Sequence, residues 1–241
     1  MAENSGTKKQ SVHTGHRKRL RRKLLNFGGE SLEMHELLEL LLFSAIPRKN
    51  TNETAHNLLE KFGSFSAVLE ASYQELVSVE GIGEQAAASI MLANTINRMY
   101  YIDKYCVKNM KLTPENVKDY VVPLFYGYNE EKLIVLLLDS EFRVKGFKKI
   151  ADGAKGHLNI EVRDITKYAL NADATNVILV HNHPNGISAP SKADLDITKV
   201  VDHALALVEV RLIDHLIVAN NEINSIFAQM KRLKYAEYTE E

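Results

Sequence analysis

Residues 181 to 194, HNHPNGISAPSKAD, bring two histidines, a Pro-Asn-Gly turn, a serine and an aspartate into one short stretch. The apolar run before them, NVILV at 176–180, reads as a buried strand. If that strand continues to residue 183, side chains two apart leave it on the same face, so His181 and His183 emerge together while Asn182 faces the other way. Two neutral imidazoles on one side can share a metal ion. Pro184, Asn185 and Gly186 then force a turn, the chain reaches Ser191 where a helix can begin, and Asp194 falls in its first turn. Two imidazoles and one carboxylate leave the fourth position of a tetrahedral site open, the arrangement of a catalytic zinc rather than a structural one. A plainer reading competes. Ser191-Lys192-Ala193-Asp194 also matches the capping-box pattern, so the pair could simply finish a helix N-terminus. Against it stand two histidines leaving an apolar strand, each of which would need a polar partner in a core.

Composition narrows what else the chain can be. Its 241 residues are 45% apolar and 25% charged, which suits a folded protein of one or two domains. The single cysteine, Cys106, excludes intrachain disulfides and zinc sites built on cysteine pairs, so any metal must be held by His, Asp or Glu. No run approaches the roughly 18 apolar residues of a membrane span, and the basic N-terminus lacks the apolar stretch of a signal peptide, so a cytoplasmic protein with no membrane partner is expected. The net charge of -1 conceals an asymmetry: residues 1–25 hold eight of the 30 Lys and Arg but one of the 31 Asp and Glu. Such a tail can neutralise phosphate, or it can be a solvated leader.

The elements that must position the site follow from periodicity. Residues 1–16 read as a basic tail without fixed structure, 17–100 as a helical domain, 101–112 as a linker, 113–232 as an α/β domain and 233–241 as a second tail. In the helical part, LEMHELLELLLFSAI (32–46) sets Leu37, Leu38, Leu41 and Leu42 on one broad face before Pro47 stops it, and TNETAHNLLEKFGS is a helix ended by Gly63. Two further helical stretches flank VEGIG (79–83). Past residue 112, EKLIVLLLD (131–139) has strand length, FRVKGFKKIAD alternates, EVRDITKYALNA is helical, SKADLDITKVVDHALALV returns to helical spacing and VRLIDHLIVAN gives a final strand or pair of strands.

With these residues in view, HNHPNGISAPSKAD resembles the H-x-H-x7-S-x-x-D signature of the JAMM (MPN) metallopeptidase fold, and more closely its form in the RadC family. GHRKRLRRKLL and ELLELLLFSAIPRKNT resemble that family's N-terminal region, EKLIVLLLD its first strand and DHLIVAN the strand after its long helix, so the likeness spans roughly residues 15 to 230. It implies a mixed sheet with flanking helices behind a small helix-hairpin-helix domain, with His181, His183 and Asp194 holding one zinc ion. It also implies that Glu131 is the general base on a metal-activated water and that Ser191 donates to the oxyanion. On sequence alone Glu130 competes with Glu131, one register away on the opposite face. Asn185 stands where the family usually has serine, and NIEVRDITKYAL lacks the His-Pro-Arg-Glu element that commonly precedes this helix; both departures lie outside the ligands. Asp214 and His215 could support the ligands from behind, although a satisfied structural pair is the plainer reading. The string HNH does not make an HNH nuclease, whose three residues are spread along a ββα unit, and one cysteine cannot build the ligands of a zinc deaminase.

VEGIGEQAAASI resembles a helix-hairpin-helix, in which Gly81, Ile82 and Gly83 would bring backbone close to a phosphate without reading sequence. Glu84 and Ala86 stand where a lysine would reach that phosphate, so a packing module without DNA contact is the alternative, and Arg17, Arg19 and Arg21 could compensate. Two functions are therefore expected to compete: a zinc-dependent hydrolase of a peptide or isopeptide bond, and a DNA-binding accessory protein of repair or replication with a structural metal.

Overall fold

The computed structural model describes residues 15–47, 49–154, 157–158 and 161–230, so both expected tails lie almost wholly outside the described residues. The chain divides into two compact units after Thr95.

The first unit is helical: α1 (His16–Phe27), α2 (Met34–Leu42), α3 (Asn52–Phe62), α4 (Phe65–Glu70), α5 (Tyr73–Val77) and the start of α6 (Glu84–Tyr105). Leu38 and Leu42 of α2, Leu58 of α3, Val68 of α4, Leu76 of α5 and Ile90 of α6 form its core. The apolar face of α2 is divided: Leu41 packs on this core, while Leu37 packs on a smaller cluster of Leu20, Leu32 and Phe43. Helix α2 ends at Leu42, well before Pro47. There the Arg17 guanidinium donates to the carbonyls of Phe43 (3.0 Å), Lys49 (2.8 Å) and Ile46, giving the carbonyls of the turn after α2 a donor in place of the backbone N–H groups a longer helix would have offered. Helix α3 does end at Gly63, which is left-handed at φ 79°. The short α4, absent from the sequence reading, and α5, the first of the two stretches flanking VEGIG, are each set by a serine cap: Ser64 accepts from Ala67 N, and Ser72 forms a capping box with Glu75.

The second unit carries one six-stranded sheet: β1 (Lys132–Leu138), β2 (Val144–Ala154), β3 (His157–Leu158), β4 (Asn176–Asn182), β5 (Arg211–Ala219) and β6 (Glu222–Ser225), in the order β3-β2-β1-β4-β5-β6. Only β4 and β5 are parallel, joined through α9 (Lys192–Ala206); the other neighbours are antiparallel. Helices α8 (Val162–Asn171) and α9 cover one face, where Leu133, Val135 and Leu137 of β1 meet Val177 and Leu179 of β4. Helix α7 (Val117–Val121) and the turn after it pack on the other, against Ile134, Leu136, Leu138, Ile178 and Val180. Burial on both faces explains why β1 and β4 read as unbroken apolar runs. Helix α6 runs to Tyr105 and Leu112 is buried in the second unit's core, so ordered structure occupies much of the stretch read as linker. A turn at Asn220 and Asn221, both at positive φ, folds β6 back on β5; this Asn-Asn signal is the one that could have predicted the hairpin.

Candidate metal centre

Alternation along β4 places His181 on the α8/α9 face with Val177 and Leu179, as its spacing required. His181 Nε2 and His183 Nε2 are 2.9 Å apart, and the Asp194 carboxylate lies 3.3 Å from the first and 3.6 Å from the second. Among the described residues these three form the one cluster of His, Cys, Asp and Glu able to hold a metal ion.

The proton on each ring can be traced. His183 Nδ1 lies 2.6 Å from the carbonyl of Ile187, which can only accept, so the nitrogen carries the hydrogen. Behind His181, a second chain also ends on a carbonyl: Thr198 Oγ1 donates to Asp194 O at 2.5 Å, His215 Nδ1 must then donate to Thr198 Oγ1 at 2.6 Å, and His215 Nε2 accepts from His181 Nδ1 at 2.8 Å. Both Nε2 atoms of the pair are thereby left as lone pairs facing a carboxylate. Three acceptors so close together need a positive charge between them, and the donor set fits a divalent cation.

The capping and metal readings of Asp194 prove compatible, because its two oxygens divide the work. Oδ2 accepts from Ser191 N at 2.8 Å and from Ser191 Oγ at 2.7 Å, closing a capping box on α9, while Oδ1 is the oxygen nearest His181. Burial alone would raise the Asp194 carboxyl, but the adjacent His181 and His183 rings and the Ser191 hydroxyl outweigh it and hold the group far below the usual carboxylate range. His183 is correspondingly raised, first by its hydrogen bond to Asp194 and least by the charge of Glu131. His215, almost fully buried, is pushed down to about 3 by desolvation and stays neutral.

Glu131 sits immediately before β1, on the face of Leu133, and the antiparallel register that pairs Leu133 with His181 carries it toward His183. Glu130 is engaged elsewhere, its carboxylate 2.7 Å from Lys132 Nζ. Of the Asp214–His215 pair, only the histidine reaches the centre; Asp214 Oδ1 accepts from the backbone of His215 and Phe227. Thr198 was missed in sequence, although it lies one helical turn beyond Asp194 on α9, the spacing that brings side chains onto one face. The loop after His183 is tied to the β5–β6 hairpin, since Asn220 donates to Gly186 O and Asn224 to Ser188 O. Gly186 has φ 77°, and a Cβ there would meet the Asn220 amide at 2.9 Å. Asn185 Oδ1 accepts from Ile187 N at 3.0 Å, a turn that serine can also make.

The residues singled out for nucleic acid are not assembled in the same way. Ile82 is buried in the helical core, Gly81 packs on Thr54, and Arg17 is occupied by three carbonyls, leaving Arg19 and Arg21 exposed on α1.

Two family models match the chain: a RadC-like JAB domain over residues 112–232 and a UPF0758 N-terminal region over residues 12–88. A UPF0758 protein of Acinetobacter baylyi is 36% identical over 204 residues, covering 84% of this chain and 75% of its own length. A UPF0758 protein of Carboxydothermus hydrogenoformans is 35% identical over 88% of this chain and 93% of its own, and one of Polaromonas is 33% identical over 86% and 93%. None of the described helices is long and apolar enough to cross a membrane. Matched across its sheet unit by the JAB domain, and similar to these relatives along most of their length, the chain belongs to the RadC family.

Proposed function

We propose that this chain is a zinc-dependent hydrolase of the JAMM type, with one zinc ion on His181, His183 and Asp194 and a peptide or isopeptide bond as its substrate. The observation that carries the reading is the pair of Nε2 lone pairs, 2.9 Å apart beside a carboxylate, each left bare by a hydrogen-bond chain that ends on a carbonyl. Bound there, zinc supplies Lewis acidity and brings the pKa of its water to about 7. Glu131, near enough to act on the charge of His183, takes the proton of the attacking water and passes it to the leaving amine. Ser191, at the N-terminus of α9, stabilises the oxyanion once its hydroxyl hydrogen turns from Asp194; the Ser191 N–H, 2.8 Å from Oδ2, keeps the carboxylate in place meanwhile. A cytoplasmic location suits a chain with one cysteine.

Elemental analysis of the wild type and of Asp194→Ala tests the reading. One zinc per chain, lost in the variant, is the expected result, after which Glu131→Gln should keep zinc and lose turnover in a peptide-cleavage screen. A wild type that takes up no zinc when it is supplied would overturn the proposal.

A second reading, an accessory protein that binds DNA without sequence preference, draws on α1, where Lys18, Arg19, Arg21 and Arg22 are all exposed. Binding of a DNA duplex that weakens steeply with salt, and is lost when these four are neutralised, would support it; salt-insensitive or absent binding would exclude it.

A further inference from the structure

Asn182 stands between the two histidines but belongs to the opposite face of β4, and it is almost fully buried. Its Oδ1 accepts from Lys132 N at 2.8 Å, and its Nδ2 donates to Glu130 O at 3.1 Å. These bonds grip the backbone on either side of a single residue, Glu131. On the β4 side the ladder's pairs begin at Leu133, opposite His181, so Glu131 lies beyond the point where strand pairing with β4 fixes the chain. Among the described residues the Glu131 carboxylate has no hydrogen bond or ion pair of its own, and its influence on His183 is purely coulombic. Its location therefore depends on its backbone, which pairs with β2 only from Lys132 onward and is held on the β4 side by the Asn182 side chain.

We propose that Asn182 is a positioning residue for Glu131: its carboxamide clamps residues 130–132 so that the glutamate stays beside the His181–His183–Asp194 cluster. A primary amide is the group this clamp requires, because one plane must offer an acceptor to an N–H and a donor to a carbonyl. Aspartate keeps the first bond and sets a negative oxygen against the Glu130 carbonyl; alanine loses both bonds. The flanks are held independently. Lys132 Nζ reaches Glu130 and lies over the ring of Tyr128, which also carries the Arg98 guanidinium at 4.1 Å, so release of the clamp frees Glu131 without releasing the whole segment. The effect on catalysis depends on the hydrolase reading; the clamp depends on geometry alone.

The test uses the zinc-loaded full chain. Crystal structures and amide hydrogen exchange of wild type and Asn182→Ala should show Glu131 displaced and the Lys132 amide exchanging at least about tenfold faster, with one zinc per chain retained. Glu131 unmoved and Lys132 equally protected would overturn the proposal. On a fluorogenic peptide amide, Asn182→Ala should lower kcat about a hundredfold with KM little changed, and adding Asn182→Ala to Glu131→Gln should cost nothing beyond Glu131→Gln alone, because Asn182 acts through that one group. Fully additive losses would also overturn it. Should Asn182→Ala not fold, Asn182→Asp, which retains one of the two bonds, is expected to shift Glu131 in the same sense and less far; an unshifted Glu131 there counts against the clamp. Zinc absent from every variant and from the wild type would sink the hydrolase reading and leave the structural comparison to decide the clamp.

Discussion

His181 Nδ1 and His215 Nε2 lie 2.8 Å apart, and this contact decides which edge of the His181 ring is free to bind a metal. The hydrogen between them belongs to His181 only because His215 has already committed its own to Thr198 Oγ1, 2.6 Å away, and Thr198 its own to the Asp194 carbonyl. One candidate ligand, Asp194, thus sets the tautomer of another, His181, through two intervening side chains.

Removing this support should weaken the metal site without removing a ligand. His215→Ala is expected to lower zinc affinity about 10- to 100-fold, and Thr198→Val less. Competition titration against a zinc chelator measures both. Wild-type affinity in His215→Ala would show that His181 is oriented by something else.

The cap and the ligand can be separated at Ser191. Ser191→Ala removes the hydroxyl at both ends of the capping box but keeps the Ser191 N–H bond to Asp194 Oδ2. A loss of about 1 kcal/mol in urea unfolding of the chelated protein is expected, with zinc stoichiometry unchanged. Loss of zinc would mean that the hydroxyl, rather than the N–H, holds the carboxylate.

Acid should destabilise the chelated protein in a window set by His215. Its pKa is pushed from 6.5 to about 3 by burial, so between those values the folded state binds fewer protons than the unfolded one, and stability falls as pH drops through the window. Asp194, held low, adds a further loss below its ordinary 3.8. His183 acts in the opposite sense: raised chiefly by Asp194, its contribution is complete below 6.5 and disappears as pH climbs through its folded value. Thermal midpoints of wild type and His215→Asn at pH 7 and pH 5 test this. The variant's midpoint should change less between the two; an equal drop would assign the acid sensitivity to other groups.

In the helical unit the corresponding fixed point is Arg17. Arg17→Met keeps the stem over the Phe43 ring but leaves the carbonyls of Phe43, Ile46 and Lys49 without their donor. A loss of about 1.5–3 kcal/mol is expected, the scale for hydrogen bonds to a charged group, read from denaturant unfolding monitored in the first unit. An unchanged midpoint would return Arg17 to the pool of surface cations.

The strand pattern and the ligand spacing were legible because both are short-range: β1 and β4 are buried on two faces, and His181 and His183 share one of them by alternation alone. Glu131 needed the family resemblance, since a glutamate before a strand is ordinarily a solvated charge. The contacts that sequence does not settle are long-range: it offers His215 only as one option for support from behind, and Thr198 not at all. His215 reaches His181 across the β4–β5 pairing, and Thr198 reaches His215 from α9, contacts that only the folded topology creates. The end of α2 was misplaced for the same reason, because the side chain that donates to the carbonyls after it lies 26 residues upstream. In the hairpin, the motif reading concerns the backbone of Gly81, Ile82 and Gly83, and the burial of the apolar Ile82 side chain in the core is compatible with it.

Adjacent residues of β4 serve opposite faces, His181 the metal cluster and Asn182 the clamp on Glu131. A pairing slip of one residue would exchange them, sending an imidazole into the apolar layer of Ile134, Leu136 and Val180 and dismantling both devices at once. Because only the observed register brings His181, His183 and Asp194 together, a metal ion bound there would stabilise this threading of the sheet over its misregistered competitors.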